Sequence, residues 1–174
     1  KLVEDTTNNT HVLRQSFTTV VNTTYPLSCF VKSAGNSRRT GYGATQTGSD
    51  IFDIDNGTII TNASGNATMV SFGNGWYRIS TTFTATATTT NIDLRIEPNS
   101  ATAADISQGD GTSGYFIWGF QAEVGTSAST YLPTTSSTLV GLTGVTRGVN
   151  GTTAQAASSS DSIQQLPFAA QGLL

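Results

Sequence analysis

The chain is poor in the residues that most catalytic and metal sites use. Its 174 residues include one cysteine, Cys29, and one histidine, His11. A single cysteine excludes an intramolecular disulfide framework and a zinc site built from several thiolates. A single histidine nearly excludes a multi-histidine metal centre, and it leaves one base for a Ser-His-Asp or Cys-His arrangement. The composition therefore favours a protein that is not an enzyme.

Charge is scarce as well. Charged residues make up 11% of the chain, and the net charge is -3, whereas a typical domain has about 25% charged residues. Apart from Arg38-Arg39 there is no cluster of basic residues, so the electrostatic footprint of nucleic-acid binding is missing. No apolar run approaches the roughly 18 residues that a membrane helix needs. We therefore expect no nucleic-acid partner and no membrane insertion.

Threonine, with about thirty copies, takes the place of charge. It is β-branched and carries a neutral hydroxyl, so it suits the outer face of a strand. Several segments alternate apolar and polar residues with the period of two that strands have. In "NIDLRIE", for example, Ile92, Leu94 and Ile96 share one face. The other face of that strand carries Asp93, Arg95 and Glu97.

The same alternation places the residues of the aromatic stretch at 114–124. Phe116, Trp118 and Phe120 fall on one side, and we expect Trp118 to lie in the core. Tyr115 and Gln121 fall on the opposite, semi-polar side. In other strands the pattern predicts a half-exposed His11 and a buried Cys29.

Eight or nine strands are separated by turn signals, among them the Asn56-Gly57 pair of a tight hairpin. No helical segment is convincing before residue 135. The sequence therefore predicts an all-β fold, a two-sheet antiparallel β-sandwich or jelly roll.

From residue 135 the chain becomes poor in charge and aromatic residues and rich in Gly, Ser and Ala. Such a segment cannot bury enough apolar surface to fold alone. We predict a jelly-roll domain over 1–134. Residues 135–174 would form an irregular, low-complexity tail or linker that docks onto its own domain, a neighbouring subunit or a partner. The residues expected to anchor this assembly are Leu166, Phe168, Leu173 and Leu174.

Three motifs occur in order: "WGFQAE" at Trp118–Glu123, "YLPT" at Tyr131–Thr134 and "VTR" at Val145–Arg147. Together with "KLVEDTT" and "NGWYRIS", they resemble the signature of a jelly-roll module common in tailed-bacteriophage virion proteins, which runs near "WGAQLE", "YIPT" and "VTR". The resemblance covers roughly residues 1–147. Members of that family usually carry one more segment upstream, which supplies the first strand. We therefore expect the chain to be a fragment, or to receive that strand from elsewhere.

The family is similar to carbohydrate-binding modules with a concanavalin-A-like or galactose-binding-like sandwich. The resemblance implies a non-enzymatic protein of the virion surface, as a tail fibre, tailspike, head fibre or capsid decoration component. Its expected partners are other virion proteins, further copies of itself, with a trimer favoured, and a glycan of the host surface. The alternative is a sugar-binding module of a secreted or virion-associated glycan-degrading enzyme.

A glycan site needs an aromatic platform for the C–H faces of sugars and polar groups for their hydroxyls. If the strands share a sheet, alternation brings such groups together. The candidates are Trp76, Arg78, Asp93, Arg95, Glu97, Tyr115 and Gln121. The alternative is structural: ion pairs of Arg78 or Arg95 with Asp93 or Glu97, and a Trp76 that covers a sheet edge.

Two further chemistries have weaker signals. Asp53 and Asp55, two residues apart, meet the carboxylate spacing of glycoside hydrolases, but Asp55 precedes Asn-Gly and is better explained as a turn residue. Asp105 and Asp110, with the N-terminal Glu4 and Asp5, are the candidate ligands of a structural calcium ion. We expect no cofactor, and structural calcium is the alternative.

Overall fold

A computed structural model of the chain describes residues 1–35, 38–102 and 106–133. All regular structure in these residues is β-strand, as predicted, and no helix of the described part is long and apolar enough to cross a membrane. Twelve strands follow each other along the chain: β1 Leu2–Val3, β2 Asn8–Asn9, β3 His11–Thr18, β4 Thr24–Ser33, β5 Arg39–Ala44, β6 Gly48–Asp53, β7 Thr58–Thr61, β8 Thr68–Gly73, β9 Trp76–Thr84, β10 Thr89–Glu97, β11 Ser107–Gln108 and β12 Gly114–Ala122.

The strands form two five-stranded sheets and a small two-stranded ribbon of β11 and β2. The front sheet has the order β1-β12-β4-β9-β8, and the back sheet has the order β3-β10-β5-β6-β7. Every pairing is antiparallel. Inward-facing side chains of both sheets share one hydrophobic core. The predicted two-sheet antiparallel β-sandwich, with its jelly-roll-like architecture, is confirmed.

All of these strands belong to one compact unit, Lys1–Thr130. The remainder of the chain, Tyr131–Leu174, forms a second unit, of which the structure describes residues 131–133. The predicted tail at 135–174 lies outside the described residues and stays a prediction.

The core has the composition that the alternation predicts. Leu27, Cys29 and Val31 of β4 are fully buried, and so is Ile79 of β9. From the back sheet, Leu94 packs against the same cluster. Each large apolar side chain buried in this way contributes roughly 1.5–3 kcal/mol. The core therefore lies between the two sheets and leaves two outer faces for other roles.

Two hairpins show how closely local sequence determines the turns. Between β8 and β9, Asn74 and Gly75 both have positive φ angles, 51° and 76°, which fits a two-residue type I′ turn. The predicted hairpin at Asn56-Gly57 exists, but its loop has four residues and only Gly57, at φ 66°, is left-handed. Asp53 closes that loop by accepting hydrogen bonds from the backbone and side-chain amides of Asn56.

The prediction that Trp118 lies in the core is wrong. Its side chain is 46% exposed, on the outer face of the front sheet. Across the sheet, Ile117 pairs with the inward-facing Val31 and packs against the core, so its neighbour Trp118 points outward. The sequence analysis therefore assigned the inward and outward faces of this part of β12 the wrong way round.

A bulge at Gly119 then reverses the alternation. The pairing of β12 with β4 shifts between Trp118 and Gln121, and Gly119 has φ 65°. An extra left-handed glycine is typical of a β-bulge, which inserts one residue and re-aims the side chains that follow. Gln121 therefore points outward with Trp118, whereas strict alternation would separate them.

His11 also departs from its expected half-exposed state. Its side chain is buried, with Nε2 3.1 Å from the carbonyl oxygen of Ser107 and Nδ1 3.5 Å from Oδ1 of Asp5. The ribbon of β2 and β11 lies beside the start of β3 and encloses the ring. Cys29 is buried as predicted, and burial raises the pKa of its thiol, so it stays protonated at neutral pH.

Candidate glycan-binding face

The outer face of the front sheet changes from aromatic to polar along its strands. Residues paired across neighbouring strands point to the same face, so each register position defines a row. The aromatic row consists of Trp118, Phe30, Arg78 and Val70. The adjacent polar row consists of Gln121, Ser28, Ser80 and Thr68.

Four aromatic rings are packed together on this face. Phe30 and Trp118 are stacked, with ring centroids 4.3 Å apart and planes 12° apart. Phe72 meets Phe30 edge-on at 5.0 Å, and Trp76 meets Trp118 edge-on at 6.4 Å. We call Phe30, Phe72, Trp76 and Trp118 the aromatic platform. Edge-on and stacked contacts hold the rings in a fixed arrangement.

The platform is accessible at its surface. Phe72 is 58% and Trp118 is 46% exposed, whereas Phe30 beneath them is 4% exposed. An exposed apolar cluster of this kind, bordered by polar groups, typically marks an interaction site in a folded protein. The buried Phe30 supports the two exposed rings from below.

Arg78 lies in the same row as the platform. Its guanidinium carbon is 5.7 Å from the centre of the Phe30 ring, within the range of a cation–π contact. Its Nη2 donates a hydrogen bond of 2.9 Å to the hydroxyl of Ser28. The platform and the polar row are therefore connected through one cation.

A second polar group closes the far end of the face. Oε1 of Glu123 accepts hydrogen bonds from the Gln121 side chain, at 2.9 Å, and from the backbone N–H of Ser129, at 2.8 Å. Burial raises the pKa of Glu123, but these hydrogen bonds and the charge of Arg78 outweigh burial, so the net pKa is lowered. Glu123 is thus an anchored carboxylate that holds Gln121 in place.

A groove of about 460 Å³ opens beside the platform. It begins at Phe72 and Arg78 and reaches the loop at 126–128. Its volume falls within the about 300–1,000 Å³ typical of small-molecule sites. The polar side chains that line it are neutral apart from Arg78: Asn66, Thr68, Ser80, Thr82, Thr126 and Ser127.

The structure brings some of the predicted site residues together and separates others. Trp76, Arg78 and Gln121 lie on the outer face of the front sheet. Asp93, Arg95 and Glu97 are in β10, which belongs to the back sheet. The side chains of these three residues point outward from the back sheet, whereas Trp76 lies on the outer face of the front sheet. They therefore cannot share a surface with Trp76. The predicted seven-residue cluster is therefore wrong as a unit.

Asp93 and Arg95 instead form an ion-pair cluster with Arg14 of β3. Arg14 donates to both oxygens of Asp93, at 2.7 and 2.8 Å, and Arg95 Nη2 donates to Oδ2 at 2.8 Å. The side chain of Asp93 is 3% exposed. The structural alternative thus holds for the Arg95–Asp93 pair, but Arg14 rather than Arg78 supplies the second cation.

Glu97 and Tyr115 are buried and unavailable to a ligand. Glu97 is 1% exposed, and beside it Arg39 Nη1 donates to the carbonyl of Ala101 in the loop that follows β10. Tyr115 is 1% exposed and joins the two sheets, because its hydroxyl donates a 2.5 Å hydrogen bond to the carbonyl of Arg95. Their role is structural.

The sequence interpretation missed Phe30, Phe72 and Trp118 as members of the site. In the sequence, Phe30 alternates with Cys29 and Val31, which places it on the outer face of β4, but alternation alone gives it no function. Gly119 is the signal that could have located Trp118, since a lone glycine inside a strand pattern often marks a bulge.

The carboxylates proposed for other chemistry have structural partners. Asp110 accepts hydrogen bonds from the amides and hydroxyls of Thr112 and Ser113. Those hydrogen bonds, the Ser113 hydroxyl first, hold its pKa well below the usual range. No group of three or more potential metal ligands occurs among the described residues. Asp105, Leu166, Phe168, Leu173 and Leu174 lie outside them, so their predicted roles stay predictions.

The surroundings of Asp53 and Asp55 do not support a role for these residues as a catalytic pair. Burial raises the pKa of Asp53, but the hydrogen bonds from Asn56 and the charge of Arg39 prevail, and the net pKa is lowered. Asp55 is exposed at the tip of the loop. A glycosidase acid requires the opposite shift.

Comparison with known proteins adds no family assignment. No model of a known protein family matches the chain, and no curated protein matches it.

Proposed function

We propose that the outer face of the front sheet binds saccharides and that the chain is a non-enzymatic surface protein of a bacteriophage virion. The aromatic platform is the observation that carries the first part. Flat rings such as those of Phe72 and Trp118 offer apolar surface to the C–H faces of sugars, while neighbouring polar groups serve the hydroxyls. Concave sites that combine aromatic walls with a few oriented polar groups are typical of small-ligand recognition.

Binding without catalysis is consistent with the carboxylates of the sandwich. The pKa values of Asp53, Asp93 and Glu123 are all lowered, so these groups remain ionised at neutral pH. A general acid for glycoside hydrolysis has to hold its proton there. The proposed role is therefore recognition.

The virion location rests on the resemblance of the three sequence motifs and on the composition, which is rich in threonine and poor in charge. In that setting the chain would assemble with other virion proteins and with copies of itself, a trimer being favoured. Light scattering of the purified full chain gives its oligomeric state. Cryo-electron microscopy of intact particles tests the location, and a particle without density for this chain would contradict it.

The saccharide proposal is tested on a bacterial glycan array with the wild type and with Trp118→Ala. We expect the wild type to bind a subset of glycans. Removal of the stacked indole should weaken this binding about tenfold or more, because buried or stacked aromatic groups dominate recognition energies.

Val20→Ala is the matched control, since it shortens a side chain that is 66% exposed outside the platform. This variant should bind as the wild type does. A wild type that binds no glycan, or a Trp118→Ala variant with undiminished binding, would refute the proposal.

A further inference from the structure

The groove beside the aromatic platform contains one cation whose charge is only partly compensated. Arg14, Arg38 and Arg95 each lie within 4.0 Å of a carboxylate oxygen. Within the described part of the chain, Arg78 has no such ion pair, and its single hydrogen bond is the one to the Ser28 hydroxyl. Its Nε–H is buried and has no hydrogen-bond partner in that part of the chain, as is also true of the Nε–H groups of Arg38, Arg39 and Arg95.

An arginine in this state costs stability. A charged donor withdrawn from water without a partner is unfavourable, and the Phe30 ring offsets a part of that cost. A sheet face that needed only solubility could carry threonine here, as Thr82 does farther along β9. A ligand with a negative charge would lower that cost.

The surroundings of Arg78 indicate the sign of its ligand. In the described residues, the groove that Arg78 lines has no acidic side chain on its wall. Glu123 is close enough for its charge to interact with that of Arg78, but among the described residues no carboxylate oxygen lies within 4.0 Å of Arg78. The groove consequently presents a positive group among neutral hydroxyls and amides.

We propose that this groove recognises an acidic saccharide, whose anionic group is bound by the guanidinium of Arg78. The sugar ring would lie against Phe72 of the platform, and the hydroxyls of Ser80 and Thr82 would meet those of the sugar. A guanidinium is suited to a carboxylate or phosphate because its planar N–H groups donate charge-assisted hydrogen bonds. This inference rests on the proposed function and adds the class of glycan.

The net negative charge of the protein does not favour the binding of acidic glycans. With a net charge of -3, the chain as a whole repels polyanions. A preference for acidic glycans would therefore have to come from a local site, and Arg78 is the cation that lines this groove.

The test compares matched glycans. Acidic oligosaccharides are printed beside the same oligosaccharides with their carboxyl groups reduced to alcohols, and the array also includes phosphorylated sugars. We expect the wild type to bind acidic members at least about tenfold more tightly than their neutral counterparts. Arg78→Gln should abolish that difference, and Arg78→Lys should retain part of it.

Lys1→Gln is the control, because it changes the net charge by the same amount at a side chain whose Nζ contacts the Thr112 carbonyl, away from the groove. It should leave the preference intact. The wild type gives an independent readout that does not depend on the folding of a variant: the Nε–H signal of Arg78 in a nitrogen–proton NMR spectrum should shift with acidic glycans and not with the reduced ones.

The outcomes separate the two proposals. Equal binding of acidic and neutral glycans, with Arg78→Gln unchanged, overturns the acidic class and leaves the saccharide site standing. An absence of binding to any glycan overturns both. An acidic preference that Lys1→Gln removes and Arg78→Gln does not would assign the effect to another place on the surface and overturn the role of Arg78.

Discussion

At the scale of single residues, charged side chains have different partners on the two outer faces of the sandwich. On the back sheet, Asp93 is buried and shared by two guanidinium groups. On the front sheet, Arg78 contacts a ring and a hydroxyl, and the carboxylate of Glu123 interacts with it only at longer range. The first arrangement stabilises the fold, and the second is the one for which we propose an anionic ligand. Alternation in the sequence places both residues on polar faces and does not distinguish these roles.

Asp93→Asn should destabilise the protein in a pH-dependent way. Burial raises the pKa of Asp93, but the hydrogen bonds and charges of Arg14 and Arg95 lower it by more, so the net pKa is depressed. A depressed pKa contributes stability that is present above the unfolded value of about 3.9 and is lost as the pH falls through the folded value. At pH 7 we expect a loss of about 3 kcal/mol, the lower end for a broken buried pair, because the Arg14 side chain is 47% exposed.

Urea unfolding of the wild type and the variant at pH 7 and at pH 3 measures this difference. The gap in the free energy of unfolding should narrow at pH 3, because this pH lies below the unfolded pKa of about 3.9 and the unfolded wild-type chain binds a proton at Asp93 more readily than the folded chain does. A gap that is the same at both values would mean that the cluster contributes through packing and not through charge.

At the scale of elements, the bulge in β12 positions the site. Gly119, with φ 65°, lets the strand insert one residue, so that Trp118 and Gln121 both face outward. A non-glycine residue in this left-handed conformation costs about 1–2 kcal/mol, and asparagine costs less because its side chain tolerates that region. The left-handed conformation of Gly119 therefore determines which side chains of β12 lie on the outer face.

Gly119→Ala should lower the free energy of unfolding by about 1–2 kcal/mol, and Gly119→Asn by less. Chemical denaturation of both variants gives the comparison. In the alanine variant we also expect weaker glycan binding, since relief of strain would move Gln121. Equal stability of the alanine and asparagine variants would show that the left-handed angle is not the constraint.

The sequence was sufficient to predict the strands, but it was not sufficient to predict which residues lie together in the candidate site. Cys29 was predicted to be buried from alternation, and Leu27 and Val31 of the same strand follow the same period of two and are buried with it. Which strands become neighbours is a tertiary property. The sheet assignment of β10 therefore could not be read from its pattern, and Asp93 was placed beside Trp76, although the two lie on different sheets.

At the scale of the whole molecule, we propose that the protein binds saccharides on one outer face of a two-layer sandwich. The chain has two tryptophans, Trp76 and Trp118, and both belong to the aromatic platform. Their indole N–H signals therefore report on this face alone. Back-sheet residues such as Arg14 and Ile92 provide internal references on the other layer.

The most direct measurement is a nitrogen–proton NMR titration of the full chain with the glycan that binds most tightly on the array. We predict saturable shifts of both indole signals, with the Kd found by calorimetry, and unchanged amide signals along β3 and β10 of the back sheet. A glycan that binds by calorimetry, leaves both indole signals in place and shifts the back-sheet amides would contradict the account.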